Sequence, residues 1–179
     1  KDDSVAGGTG KIKRGDVYIV VRNLKRTTAE NVFVYLDKIF LPTGKTLFES
    51  VKSFVPRNFV WAAKADSVAV PGKTCRQLKI AEVALEKSEG KDPEAKGDGF
   101  LLKSIVAIWF SSAGETHVCE NRDHMILQIH VHSSNGSMCE CFMKINWTGK
   151  SLKDLTNEEK FSVENITRSQ MKRLTKEEF

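Results

Sequence analysis

The sequence predicts a mainly β protein: a single-domain antiparallel β-sandwich or barrel of about seven strands, with a short mid-chain helix and a C-terminal helix. Three observations predict this class. Segments rich in β-branched and aromatic residues recur along the chain, turn-forming residues separate them, and a helical period appears in only two places. The 179 residues, 40% hydrophobic and 28% charged, fit one globular domain.

Seven segments carry the strand signal. Pro42 with Gly44, and Pro71 with Gly72, lie between neighbouring segments, so the strands can pair antiparallel through short reversals. Residues 1–12 are rich in glycine and are expected to form a flexible tail, which leaves 13–179 as the β-rich domain. The predicted strands cover residues 17–21, 32–40, 59–70, 75–85, 100–110, 124–132 and 138–147.

Two segments show a helical period, and one long segment shows no period at all. Apolar residues recur at helical spacing over residues 47–55 before Pro56, which predicts the mid-chain helix. Thr156 with Glu159 matches a capping box, and the apolar spacing that follows predicts a helical segment over 152–176. Residues 86–99 carry eight charged residues and no large apolar side chain, so they are expected to form an exposed loop.

The hairpin over residues 124–147 has two competing registers. A two-residue turn would pair His132 with Cys139 and His130 with Cys141, and two imidazoles with two thiolates suit a tetrahedral zinc ion. The same register would also place charged residues against buried apolar ones. A buried sheet face does not tolerate that arrangement well.

A three-residue turn, with Gly136 in the left-handed conformation, shifts the pairing by one position. His130 then lies opposite Glu140 and His132 opposite Met138. This register is favoured because the whole apolar set falls on one face, and we expect no metal site and no cofactor. The core face then pairs Met125 with Ile145, Leu127 with Met143, Ile129 with Cys141 and Val131 with Cys139.

Sequons and cysteines both point to secretion. The Asn-x-Ser/Thr pattern occurs at Asn135, Asn146 and Asn165, and Asn135 is best placed for a glycan because it lies at the hairpin tip. The chain begins at Lys1 without a methionine, which fits either removal of a signal peptide or a trimmed N terminus, and the sequence does not separate the two. The sequence therefore predicts a secreted, extracellular glycoprotein.

Four cysteines, an even number, are expected to form two disulfides in an oxidising compartment. A bridge between Cys139 and Cys141 is disfavoured, because alternate residues of a strand lie too far apart. Each of them is therefore expected to pair with Cys75 or Cys119, and the connectivity stays open.

No motif of an enzyme is recognisable, and we expect no catalysis. His130 with Glu140 is the first pair to test for acid–base chemistry, although polar cross-strand pairs are common on sheet surfaces. The candidate binding residues are His130, His132 and Trp147: histidines crowd this region, and Trp147 lies inside a sequon near Gly149, where partial exposure is expected. Trp61 lies in an apolar segment and is assigned to the core.

The partner expected from these patterns is an extracellular protein. The net charge of +5 also permits weak binding to acidic polysaccharide, whereas nucleic acid is not expected. No apolar stretch approaches the roughly 18 residues of a membrane span. The alternative function is a carrier of a small hydrophobic ligand inside a barrel. The chain is similar to lipocalins in size, strand number and terminal helix. It lacks their Gly-x-Trp motif.

Overall fold

A computed structural model describes most of the chain, in eight stretches. Its backbone is described for residues 14–43, 47–61, 65–91, 100–109, 116–120, 124–136, 138–147 and 161–175. Side chains are described for residues 16–43, 47–61, 65–81, 124–136, 138–147 and 161–175.

The described strands form two antiparallel sheets. The four-stranded sheet has the order β1-β6-β7-β8, and the seven-stranded sheet has the order β11-β10-β9-β2-β3, with β4 and β5 also paired to β2. The strands of the first sheet are β1 (Arg14–Arg22), β6 (Cys75–Lys91), β7 (Phe100–Trp109) and β8 (Thr116–Glu120). Those of the second are β2 (Ala29–Thr43), β3 (Leu47–Ser50), β4 (Arg57–Asn58), β5 (Val68–Val70), β9 (His124–His132), β10 (Cys139–Trp147) and β11 (Phe161–Ile166).

One hydrophobic cluster draws on both sheets. Val17 and Ile19 of β1 belong to it together with Leu36 of β2 and Leu127 of β9, and all four are buried. Alternate side chains of each strand supply these positions, which is the pattern of a sheet with one face on a core. Over the described residues neither sheet closes on itself, so the predicted barrel is not formed.

A second, smaller cluster lies on the opposite face of the seven-stranded sheet. Helix α1 (Arg168–Leu174) covers it with Met171, which is fully buried. Thr167 caps the helix: its hydroxyl accepts a hydrogen bond from the Gln170 amide, and the Gln170 side-chain oxygen accepts one from the Thr167 backbone, as in a capping box. The sheet members of the cluster are Phe40, Phe48, Ile126 and Phe142.

Most predicted strands are confirmed, and the mid-chain helix is wrong. Leu47–Ser50 forms β3 and pairs with the end of β2, and Phe48 is 5% exposed in the second cluster. Pairing with β2 satisfies the backbone there, so tertiary context overrides the helical spacing. The segment 59–70 is not one strand either, because only Val68–Val70 and an isolated bridge from Trp61 to Ala65 pair within its described residues.

The C-terminal segment is also shorter in helix than predicted. Residues 161–166 form β11, which pairs with β10, and only Arg168–Leu174 is helical among the described residues there. The predicted capping box at Thr156 lies outside the described residues. The charged segment predicted as a loop begins as strand, since β6 continues to Lys91 in its pairing with β7. No helix in the described part of the chain is long and apolar enough to cross a membrane.

Candidate binding site

The hairpin of β9 and β10 has the predicted three-residue register. Cys139 pairs with Val131, Cys141 with Ile129, and Glu140 with His130. The zinc set of the other register is therefore not assembled. Gly136 does not adopt the expected left-handed conformation. A Cβ there would meet only the Ser133 side chain, which can rotate away.

His130 belongs to a polar cluster on the outer face of the seven-stranded sheet. Its Nδ1 lies 2.8 Å from the Tyr35 hydroxyl, and its Nε2 lies 3.3 Å from Glu140 Oε1. Gln128 Nε2 donates to the same Glu140 oxygen at 2.8 Å, and Arg168 Nε lies 3.4 Å from Glu140 Oε2. His130 is 9% exposed and Gln128 is 4% exposed. One carboxylate thus joins β9, β10 and α1.

This cluster is better suited to holding the helix than to catalysis. Burial, followed by the nearby negative charge of Asp37, raises the pKa of Tyr35 above its usual value. A nucleophilic phenol requires the opposite shift. Glu140 is shared among His130, Gln128 and Arg168, so it is not free to act on a substrate proton.

A groove opens at one end of the molecule, where the β1–β2 connection faces the β9–β10 turn. We call it the tip groove; its cavity volume is about 300 Å³. Val21, Val32, Val70 and Val131 contribute apolar side chains to its lining. The other lining residues are Arg22, Asn23, Leu24, Lys25, Thr27, Thr28, Ala29, His132, Ser133, Asn135, Gly136 and Cys139.

Hydrogen bonds hold the two walls of the tip groove together. Asn135 Oδ1 accepts from the Glu30 amide at 3.0 Å, and Asn135 Nδ2 donates to the Thr28 carbonyl at 2.9 Å. The Ser134 hydroxyl and amide both donate to the Glu30 carbonyl, and Asn31 Nδ2 donates to the Ser134 hydroxyl. Asn31 adopts a positive φ of 48°, a conformation that asparagine tolerates. The walls are therefore fixed before any ligand arrives.

Asn23 also fixes the wall formed by the β1–β2 connection. Its amide donates to the Thr27 carbonyl at 2.8 Å and to the Val70 carbonyl at 2.9 Å, while its oxygen accepts from the Lys25 amide at 3.0 Å. Gly72 packs so closely on the backbone of Arg26 that a Cβ would collide with it. These contacts fasten the β1–β2 connection to the turn between β5 and β6.

The charge of the tip groove is positive. Arg22 and Lys25 line it, His132 is exposed beside them, and none of its described lining residues is acidic. Leu24 lies in the β1–β2 connection and is 70% exposed. Cations above an apolar floor suit a ligand that carries both a carboxylate and an apolar group.

The structure separates the three predicted binding residues. His132 lines the tip groove, whereas His130 lies in the polar cluster. The expectation that Trp147 is partly exposed is wrong, because it is 1% exposed and packs edge to face on Phe161 at 6.0 Å. Phe161 belongs to β11, which pairs with β10, so this strand covers Trp147. Trp61 is core as predicted, and its Nε1 donates to the Val32 carbonyl.

The described cysteines form no disulfide. Cys75, Cys139 and Cys141 are free thiols, and the side chain of Cys119 lies outside the described residues. Cys139 and Cys141 share the core-facing side of the hairpin, opposite Val131 and Ile129. Cys75 pairs with Arg22 on the outer face of the other sheet, so its side chain points away from that hairpin.

The three sequon asparagines have different surroundings. Asn135 lies on the exposed turn as predicted, although its amide also binds Thr28. Asn146 donates its amide hydrogens to the Ser162 hydroxyl at 3.0 Å and to Glu164 at 3.2 Å. Asn165 is exposed on β11. Its exposed side chain is accessible to glycosylation.

Sequence reasoning missed the β1–β2 connection as part of a site. Arg22, Leu24 and Lys25 look like an ordinary polar loop until the hairpin turn, more than 100 residues later, packs against it. Asn23, a residue that favours turns, was the one local signal of an ordered connection. No protein-family model, curated protein or solved structure matches this chain.

Proposed function

We propose that this chain is a secreted glycoprotein that binds another protein through the tip groove and performs no catalysis. One observation carries the proposal: Arg22 and Lys25 line a valine-floored groove that has no acid among its described lining residues. An acidic segment of an extracellular partner would place a carboxylate on these cations and an apolar side chain on the floor.

The rigidity of the groove supports this proposal. Ordering loops on binding costs free energy, about 0.5–1.5 kcal/mol for each side chain that becomes fixed. Asn135 and Ser134 already bind the opposite wall, so that cost is reduced at the tip groove. The exposed Leu24 adds apolar surface beside the cations.

A matched pair of variants tests the proposal. L24E/K25E replaces an exposed apolar residue and a lysine at the groove, and V55E/K172E makes the same two kinds of change elsewhere, at Val55 (65% exposed) and exposed Lys172. Proteins retained from extracellular fluid by the wild-type chain are identified, and their affinities for both variants are measured.

We expect L24E/K25E to weaken binding about tenfold or more, which is about 1.4 kcal/mol, and V55E/K172E to bind like the wild type. Equal weakening by both variants would show that net charge alone attracts the partner. Binding that neither variant changes would contradict the proposed site.

A second candidate function is a carrier of a small hydrophobic ligand. The valine floor and the cavity volume of about 300 Å³, at the lower end of the range for ligand sites, favour it. Native mass spectrometry of the chain purified from its source separates the two candidates. A retained small molecule that L24E/K25E loses would support the carrier.

Secretion and glycosylation are part of the same proposal, and they rest on the sequons. Expression through a secretory pathway, followed by mass spectrometry of each sequon peptide, tests them. We expect Asn165 to carry a glycan, because its side chain is exposed. Unmodified Asn135, Asn146 and Asn165 in secreted material would contradict it.

Weak binding to acidic polysaccharide is a further part of the proposal. The net charge of +5 should retain the chain on heparin resin at low salt. About 0.3 M salt should release it, because the screening length then falls well below 10 Å. Retention that is insensitive to salt would argue for a specific polysaccharide site.

A further inference from the structure

β1 is an edge strand with features that favour pairing. Within the described residues it pairs only with β6, so one side of its backbone offers free hydrogen-bonding groups. Proteins usually protect such an edge with proline, an inward-pointing charge or a very short strand. β1 has nine residues, contains no proline, and turns Val17, Ile19 and Val21 toward the core.

The outer face of β1 carries apolar and charged residues along its length. Tyr18 and Val20 are each 48% exposed and are neighbours on this face of the strand. Asp16 and Arg22 flank them at the same face, one on either side. The face is therefore apolar in the middle, acidic at one end and basic at the other.

We infer that two copies of this chain pair through β1, antiparallel, around a two-fold axis at Ile19. This register places Tyr18 opposite Val20 of the second copy and Asp16 opposite Arg22 of the second copy, and the symmetry repeats each pair. Two apolar pairs and two ion pairs then line one face of a continuous eight-stranded sheet. Val17 of one copy likewise lies opposite Val21 of the second copy, and both face the core. Side chains that face the core therefore meet only core-facing side chains across the interface.

Neighbouring registers do not give this match. An axis through Tyr18 would set the Asp16 carboxylate against Val20, and an axis through Val20 would set Tyr18 against Arg22. An axis between two residues would place an outward side chain opposite an inward one, which the pleat forbids. The charge pattern of β1 therefore selects a single two-fold arrangement.

Three described edge strands, β11, β3 and β8, lack this complementarity. β11 contains Glu164 and β3 contains Glu49, but neither strand contains a lysine or an arginine. β8 likewise contains Glu120 without a lysine or an arginine. In β1, Asp16 already forms an ion pair with Lys79 of its own sheet and accepts from the Tyr18 hydroxyl at 3.2 Å, which holds the carboxylate in place on the outer face.

Sedimentation equilibrium of the full chain tests the inference, with Val20→Lys as the disrupting variant. Val163→Lys is the control, because Val163 is 39% exposed on the edge strand β11. We expect a monomer–dimer equilibrium for the wild type and for Val163→Lys. Val20→Lys should raise the dimer dissociation constant about tenfold or more, since it disrupts both symmetric apolar pairs.

A charge exchange tests the register itself. Asp16→Arg and Arg22→Asp should each weaken the dimer, and D16R/R22D should restore it, because the two-fold axis then sets the introduced arginine against the introduced aspartate. Thermal melting of each variant establishes that the monomer folds. A wild-type chain that is monomeric up to its solubility limit would overturn the inference, as would a dimer that Val20→Lys leaves unchanged. A double variant no better than the single ones would overturn this register.

Discussion

His130 and Glu140 face each other across β9 and β10, with His130 Nε2 3.3 Å from Glu140 Oε1. The same carboxylate accepts from the buried amide of Gln128 and lies 3.4 Å from Arg168 Nε at the start of α1. The pair that the sequence predicts as a possible acid–base pair is therefore part of a structural polar cluster, which the C-terminal helix contacts through Arg168. Its expected effects are on stability.

Glu140→Ala should destabilise the fold by about 1–3 kcal/mol, because the Gln128 amide, 4% exposed, would lose its acceptor. Arg168→Ala should cost less than about 1 kcal/mol, since Arg168 is 60% exposed and water screens its ion pair. Urea denaturation of both variants measures the difference. Equal costs would show that the carboxylate acts only through the surface ion pair.

Cys141 should make stability fall at alkaline pH. Burial, followed by the negative charges of Cys139 and Glu140, raises the pKa of its thiol to about 11 from the usual 9.0. The folded chain then holds this proton more tightly than the unfolded chain does. The stabilisation is complete below pH 9 and is lost as the pH rises through about 11, up to about 3 kcal/mol.

Cys141→Val should remove that part of the pH dependence. Urea denaturation of the wild type and the variant at pH values between about 8 and about 11 gives the comparison, and groups common to both chains cancel. A difference in unfolding free energy that is constant over this range would contradict the raised pKa.

Gly72→Ala should destabilise the chain by about 1–3 kcal/mol, because the new methyl group would collide with the backbone of Arg26. Gly136→Ala is the matched control: its methyl group meets only the Ser133 side chain, which can rotate away. Thermal or urea unfolding compares the two. If both variants are equally stable, the β1–β2 connection is not held against the β5–β6 turn as described.

His132→Ala should weaken binding at the tip groove severalfold, because His132 is an exposed lining residue beside Arg22 and Lys25. His124→Ala, a change outside the groove, should bind like the wild type. The affinity of the captured partner is measured for both variants. Equal affinities for the wild type and His132→Ala would exclude His132 as a contact.

Local pattern and tertiary contact explain which parts of the fold could be predicted. The register of β9 and β10 followed from the sequence because a slip of one residue would turn Leu127 and Met143 away from the core. The apolar spacing over residues 47–55, which begins with Leu47 and Phe48, predicts a short helix. Pairing with the end of β2 makes the first part of this segment a strand instead.

The candidate site was less predictable, because it joins distant parts of the chain. His132 was identified for the density of histidines, but Arg22 and Lys25 became its neighbours only through the contact of Asn135 with Glu30 and Thr28. Trp147 was misjudged because nothing local indicates that Phe161 covers it. The long sequence separation between the groove residues, more than their residue types, prevented prediction of the site.

Hydrogen–deuterium exchange of the chain with its captured partner tests the tip groove most directly. We predict that binding slows exchange in residues 21–28 and 131–136, whose backbones form the two walls. Protection confined to other surfaces, such as residues 161–175 around α1, with unchanged exchange at both walls, would contradict the proposed site.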